Sequence, residues 1–350
     1  MTNIRFTLWN VEWMNEFFTG EPPVFKPDNQ KGYMTKRNIG ARRRDVTGVI
    51  NEVDSDIWVI VEGPNQVAEL QLFFDQPEVN GDWDCAVQPS GAQSVGIAVR
   101  RDSNKFENKV FDWYNVMSAP EANALKLATD PFTMDTDDDE LLEYHKFERR
   151  PLYATINLAN GKKFRVLGLH LKSKGFRDAL EWSKWWAKAD GTRKKIVAQC
   201  FQLRTQFLDD YLSHPDTRDI PIIVCGDIND GPGFDTSEMR LQASGVERLI
   251  GSVWRPHLTL GNAVFDSLND KDKSELDFSS LYTASFPDPI FNYTYRRSWI
   301  DHILYSQWKS LWVKDARIIH DTKNGKPIYS EFPQASDHRP VSCLIDMDML

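Results

Sequence analysis

Short apolar runs rich in β-branched and aromatic residues recur along this chain, and most of them stop at a polar residue. Residues 4–9 (IRFTLW), 57–61 (IWVIV), 95–100 (VGIAVR), 152–158 (LYATINL), 164–170 (FRVLGLH), 221–225 (PIIVC), 299–305 (WIDHILY) and 340–346 (PVSCLID) read as strands, because their apolar residues cluster without helical spacing. Between the first two, Ile39, Val46, Val49, Ile50 and Val53 recur at roughly helical intervals, giving strand, helix, strand. Further helices are predicted at about 65–74 and 178–213, the second broken near Gly191. Many short strands with few long helices predict sheets packed on each other with helices outside, rather than a simple alternating doubly wound sheet. No linker divides the 350 residues, so a single domain over 1–350 is expected. Its least patterned stretch, about 103–148 with the acidic run 135–140, is read as an insertion.

The composition, 41% hydrophobic and 27% charged, is that of a globular chain and excludes a disordered or fibrous one. A formal net charge of -9 repels a polyanion unless basic groups gather locally. Two stretches offer that: residues 31–45 hold six Lys or Arg against Asp45 alone, and residues 172–204 hold nine against three acids. Such runs are usually solvated faces, so they permit an anionic partner without proving one. Cys85, Cys200, Cys225 and Cys343 form no C-x-x-C pair, which fits neither a zinc site nor a dense disulfide framework and points to a reducing compartment. With no signal-like leader and no apolar run near the ~20 residues that span a bilayer, a cytoplasmic protein without a membrane partner is expected.

The polar residues at the strand ends are the chemistry-bearing ones. Asn10 and Glu12 follow the first strand (LWNVEWMN), Glu62 ends IWVIVE, and His170 ends FRVLGLH. Asp227 and Asn229 follow the run in PIIVCGDIND, and Asp301 (SWIDHILYS) and Asp337-His338 (SDHRPV) come near the C-terminus. A buried strand holds such a side chain rigidly and still presents it to a cleft. Singly, each has a plainer explanation as turn former, helix cap, solvated end or structural histidine. The set is more informative than any member.

In order and wording, the blocks WNVE, VIVEG, GLHLKSK, GDIND, SWIDHILYS and SDHRPV resemble the endonuclease/exonuclease/phosphatase superfamily, which includes deoxyribonuclease I and apurinic endonucleases. The resemblance runs from Asn10 to His338 and implies a deoxyribonuclease I-like α/β (α+β) fold, a four-layer sandwich of two mixed sheets flanked by helices. It also implies roles. Glu62 is the principal metal ligand with Asn10 and Glu12 beside it, and Asp337 reaches the metal or its waters. Asp227 orients or deprotonates the attacking water, and Asn229 helps hold the phosphate and that carboxylate. His338 contacts the scissile phosphate with Asp301 fixing its ring, and His170 makes a second phosphate contact. Arg149 or Arg150, in the segment FERRPL that resembles a family strand start, and Lys172 and Lys174 of LKSK are candidate phosphate contacts. Where the family often has Asn or Asp, this chain has Glu12, whose longer side chain would shift the coordination.

Physical chemistry asks for a similar set. An anionic phosphodiester resists attack, so a hard cation on a nonbridging oxygen neutralises charge. Magnesium, or manganese in its place, needs only one or two protein carboxylates. The expectation is a magnesium-dependent phosphodiester hydrolase acting on DNA or RNA. The basic stretches, the LKSK block, and Phe176, Trp182, Trp185 and Trp186 lying among basic residues lean that way. The blocks SWIDHIL and SDHRPV are also similar to those of inositol polyphosphate 5-phosphatases, which makes a phosphomonoesterase the second reading. An inactive nucleic-acid-binding protein on the same fold is the reading from another class.

Overall fold

The computed structural model describes residues 3–91, 93–111, 120–136, 139–174, 182–231, 241–275, 281–288, 294–307 and 311–350. Two six-stranded sheets carry the fold. The first runs, in spatial order, Val313–Ile318, Val341–Asp346, Asn3–Asn10, Ile57–Gly63, Ser94–Arg100, Trp83–Gln88. The second runs Leu260–Asn262, Asp301–Ser306, Ile222–Asp227, Lys163–His170, Leu152–Leu158, Phe106–Phe111. Each has one parallel pair among antiparallel ones: Asn3–Asn10 with Ile57–Gly63, and Lys163–His170 with Ile222–Asp227. Both sheets are therefore mixed.

Side-chain alternation along the strands explains why the sheets stack. Ile57, Val59 and Val61 join Ile4, Phe6 and Leu8 in a core shared with Phe164 and Val166, Ile223 and Cys225, and Ile303 and Tyr305 of the second sheet. The intervening Trp58 and Ile60 face the other way, onto Ile39, Val46, Val49 and Ile50 of the helix Ile39–Val53 and Leu70, Phe73 and Phe74 of Val67–Phe74. In the second sheet Ile222, Val224 and Leu304 likewise face outward, onto Ile196, Cys200 and Leu203 of Trp185–Leu203. A strand apolar on both faces can only be satisfied in an inner layer. The result is helix, sheet, sheet, helix, as the resemblance implied.

Local signals set the helix starts. Asn38 caps Ile39–Val53, its side-chain oxygen accepting from Ala41 N at 2.8 Å. The expected break near Gly191 is absent, and Trp185–Leu203 runs through it. A mid-helix glycine costs only about 1 kcal/mol against alanine, and the buried Ile196, Cys200 and Leu203 anchor the helix beyond it. The irregularity falls later, as a π-helical turn at Arg204–Leu208 before Asp209–Ser213. Phe106–Phe111, inside the stretch read as an insertion, is the edge strand of the second sheet, so that stretch belongs partly to the scaffold. Its central Glu107, Asn108 and Lys109 hide it in the sequence, since edge strands tolerate charge. No described helix is long and apolar enough to cross a membrane.

Candidate active site

The same alternation that builds the inter-sheet core ends in polar side chains. Leu8 faces the core, and two residues on so does Asn10; Cys225 leads to Asp227, Val166 to His170 through Gly168, and Ile303 back to Asp301. Register then lines them up. His170 pairs with Asp227 across one strand boundary, and Asp227 with Asp301 across the next. These three groups form one row across the second sheet, facing Asn10 on the first.

Glu62 breaks the alternation that would turn it outward after Val61. Its φ is 56°, a left-handed conformation, and the pairing of its strand with Ser94–Arg100 shifts between Ile60 and Gly63. That kink brings its carboxylate to the row. Oε1 accepts from Asn10 Nδ2 at 3.4 Å and lies 3.9 Å from His170 Nε2, while Oε2 accepts from Trp13 N at 3.0 Å and Gln93 Nε2 at 2.5 Å. Glu12 and Trp13 also sit at φ 54°, turning the chain so that the Trp13 N–H meets Glu62.

On the second sheet, the buried Asp227 accepts from Asn10 Nδ2 at 3.0 Å through Oδ2 and from Asn229 N at 2.9 Å through Oδ1. Asn229, itself at φ 58°, donates Nδ2 to Leu171 O at 3.3 Å. Asp301 Oδ2 lies 2.8 Å from His338 Nδ1, and the His338 carbonyl accepts from Trp9 Nε1 at 2.9 Å. The pair is buried in both partners.

Electrostatics separate the two histidines. Burial disfavours the His338 cation, but the Asp301, Asp337 and Asp227 carboxylates overcome this and hold its pKa well above the usual histidine range. His170 is pushed well below that range by burial and by the charges of Arg149 and His338, so it is neutral. Burial, with Asp301 and then Glu62 nearby, raises Asp227 to about 7 despite His338 and the Asn10 hydrogen bond. A carboxylate poised there suits a general base.

The remaining predicted residues are placed as follows. The Glu12 carboxylate is engaged by Arg37 and its N–H bonds Asn10 Oδ1 at 2.9 Å, so Glu12 shapes the turn rather than joining Glu62. Asp337 lies with Oδ1 3.9 Å from His338 Nε2. Arg149 reaches the site, donating to Gln93 Oε1 and to Leu171 O at 3.2 Å. Lys174 is 3.4 Å from the fully buried Asp230, and the Lys172 N–H bonds Gln199 Oε1 at 3.0 Å. Lys174 is thus held against a carboxylate, where a phosphate contact was expected. Phe176 and the side chains of Trp182, Trp185 and Trp186 fall outside the described residues.

Sequence reasoning missed Gln93, which bridges Glu62 and Arg149 from the loop before Ser94–Arg100. Nothing in its local sequence marks it. It also missed that Asp230 is a brace: Oδ1 takes Arg193 Nη1 at 2.7 Å, Oδ2 takes Gly245 N at 2.5 Å, and the carbonyl lies 2.9 Å from His302 Nε2. The His302 ring, on the outward face as alternation requires, is lowered to about 4 by burial and so serves the scaffold uncharged.

The donor set fits a hard divalent cation. Glu62 and Asp227 supply carboxylate oxygen, the preferred ligand type of magnesium, and the Asn10 amide holds the two together by donating Nδ2 to both. One atom each of Asp227, Asp301 and His338 also lie within 4.8 Å of one another. That trio suits a hard cation less well, because an imidazole nitrogen takes the place of one oxygen ligand.

No protein-family model and no curated protein matches the sequence. Solved structures do. An endonuclease/exonuclease/phosphatase from Bacteroides vulgatus aligns over 99% of both chains at 12% identity and TM-score 0.49. D. rerio TDP2, complexed with a single-strand DNA product, aligns over 99% of this chain and 100% of that one at 13% identity and TM-score 0.47. The human Nocturnin catalytic domain, with bound sulfate, aligns over 98% of this chain and 92% of that one at 15% identity and TM-score 0.45. The six ordered sequence blocks, the two packed mixed sheets and the polar end of their shared interior together make this chain similar to the endonuclease/exonuclease/phosphatase superfamily.

Proposed function

We propose that this chain is a divalent-metal-dependent phosphodiester hydrolase acting on nucleic acid. One observation carries the reading: a carboxylate raised to about 7, a charged histidine clamped by an aspartate and a separate glutamate meet at one point of an otherwise apolar interior. Such a concentration of ionisable groups disfavours folding and is retained where chemistry needs it.

Glu62, with the Asn10 amide beside it, would hold the cation, magnesium or manganese. The cation supplies charge neutralisation at the phosphate and the leaving oxygen. The chain's own groups do the rest. Asp227, held by the Asn229 N–H and Asn10, takes the proton of the attacking water. Protonated His338 donates Nε2–H to a phosphate oxygen while Asp301 fixes the tautomer through Nδ1. Neutral His170 and Arg149 line the same opening, and Asn229 steadies both phosphate and base. Asp337, 3.9 Å from the His338 ring, keeps that ring charged and borders the metal's waters.

The substrate class rests on the LKSK and SWIDHILYS blocks, which resemble those of nucleases in the superfamily. The basic stretches add little to it, since Arg37 pairs with Glu12, Arg42 is buried beside Glu16, Arg43 and Arg44 meet Asp28, and Lys174 and Arg193 meet Asp230. The test is magnesium-dependent cleavage of single-stranded DNA, double-stranded DNA, RNA and inositol phosphates by wild type and Glu62→Gln. A loss of at least 10³-fold with the variant on nucleic acid is expected. Equal rates would remove the metal assignment, and turnover of inositol phosphates alone would replace the nuclease reading by the phosphatase one.

A further inference from the structure

Next to His338, on the same segment, Arg339 is 8% exposed and has no carboxylate partner among the described residues. Its guanidinium lies between two aromatic rings, 4.2 Å from the Tyr282 centroid and 4.2 Å from that of Tyr329. Arg297 stacks on Tyr282 as well, at 4.5 Å. Its Nε and Nη1 are buried without an acceptor among the described residues. The Tyr329 hydroxyl is also buried and unpartnered. Each of these Arg339 and Tyr329 groups can donate to an acceptor, although Asp301 Oδ1 and Asp337 Oδ1 nearby are themselves buried acceptors without a partner among the described residues.

The cluster adjoins the catalytic groups. Burial raises the Tyr329 hydroxyl's pKa, Arg339 opposes this, and the Asp337 and Asp301 carboxylates, which flank the His338 ring, add to the rise. The backbone ties the two regions together: Arg339 N donates to Thr283 O, and the Thr283 hydroxyl accepts from Asp301 N at 3.1 Å. A guanidinium pinned by two rings loses little freedom on binding, and its fork matches two oxygens of a phosphate.

We propose that Arg339, clamped by Tyr282 and Tyr329 and joined by Arg297, is a second anion subsite that binds a phosphate of the substrate other than the one hydrolysed. It selects phosphate chains over isolated phosphodiesters. The assignment deepens the nuclease reading and rests on it for the identity of the ligand, but the anion site is testable by itself.

Two measurements decide the matter. The first compares kcat/KM for two chromogenic esters, the p-nitrophenyl ester of thymidine 5′-phosphate and the same ester carrying an additional 3′-phosphate. Wild type should prefer the doubly phosphorylated ester at least tenfold, and Arg339→Met, which keeps the stem between the rings, should bring the ratio near one. Tyr329→Phe, which removes only the hydroxyl, should lower the ratio a few-fold; a ratio unmoved by both substitutions overturns the proposal. The second is calorimetric binding of inorganic pyrophosphate to metal-free protein. Binding that persists in His338→Gln and is lost in Arg339→Met supports the subsite even if no ester is cleaved, in which case the nuclease reading alone fails. Binding unchanged by Arg339→Met, or absent from wild type, means that Arg339 only packs between its neighbours and overturns the subsite whatever the turnover.

Discussion

His338 and Asp227 are poised in opposite protonation states, and this fixes the pH response. In the proposed mechanism Asp227 must be ionised to accept a proton, so activity should rise as pH passes its value, about 7 without a cation. His338 must be charged to donate, so activity falls at higher pH as its raised pKa is passed. A cation on Glu62 opposes protonation of Asp227. The rising limb of kcat/KM against pH should therefore move to lower pH as magnesium is increased, by about half a unit or more; a limb that stays fixed would mean that Asp227 does not face the cation. Gln93 gives a second test at this scale. Gln93→Leu keeps the size of the side chain and removes the bridge between Glu62 and Arg149. Loss of such a support typically costs about 10- to 100-fold in activity or metal affinity. A magnesium titration of the variant's activity should show a higher half-saturation, and an unchanged titration would reduce Gln93 to a loop residue.

The strands show what a sequence reader can and cannot see. Each apolar run that ends in Asn10, Glu62, His170 or Asp227, or follows Asp301, is legible, because burial on both faces leaves a dense β-branched signature and the polar residue at its end stands out. Trp83–Gln88, Phe106–Phe111 and Val313–Ile318 were missed: each is an edge strand with charged or amide residues along it, so its alternation is diluted. The Glu12–Arg37, Gln93–Arg149 and Arg193–Asp230 pairings join residues far apart in the chain, and no local pattern encodes them. Gly226 shows how closely the elements are fitted. At φ 153° it lies against Leu169, and a Cβ there would overlap the Leu169 carbonyl. Gly226→Ala should therefore push apart the strands that carry His170 and Asp227. The expected result is a thermal midpoint lower by several degrees and at least 10-fold lower turnover at temperatures where the variant is folded, read by calorimetry and steady-state kinetics.

At the scale of the molecule, stability and chemistry occupy opposite ends of one interior. Phe164 is fully buried at the start of the strand that ends in His170, about 20 Å away at ~3.3 Å per residue, and packs on Trp312 with ring centroids 5.9 Å apart. Phe164→Ala should cost about 3–5 kcal/mol in denaturant unfolding while leaving kcat within twofold in the folded protein; a parallel fall in kcat would mean that the two ends are coupled. The site itself is written in odd and even numbers. Asn10, His170, Asp227 and Asp301 face inward only because each stands an even count of residues from a core neighbour on its own strand. One inserted or deleted residue within any of these strands would rotate its terminal group onto the helix side. Descendants of this chain can therefore resize these strands only in pairs of residues, a parity that its loops do not carry.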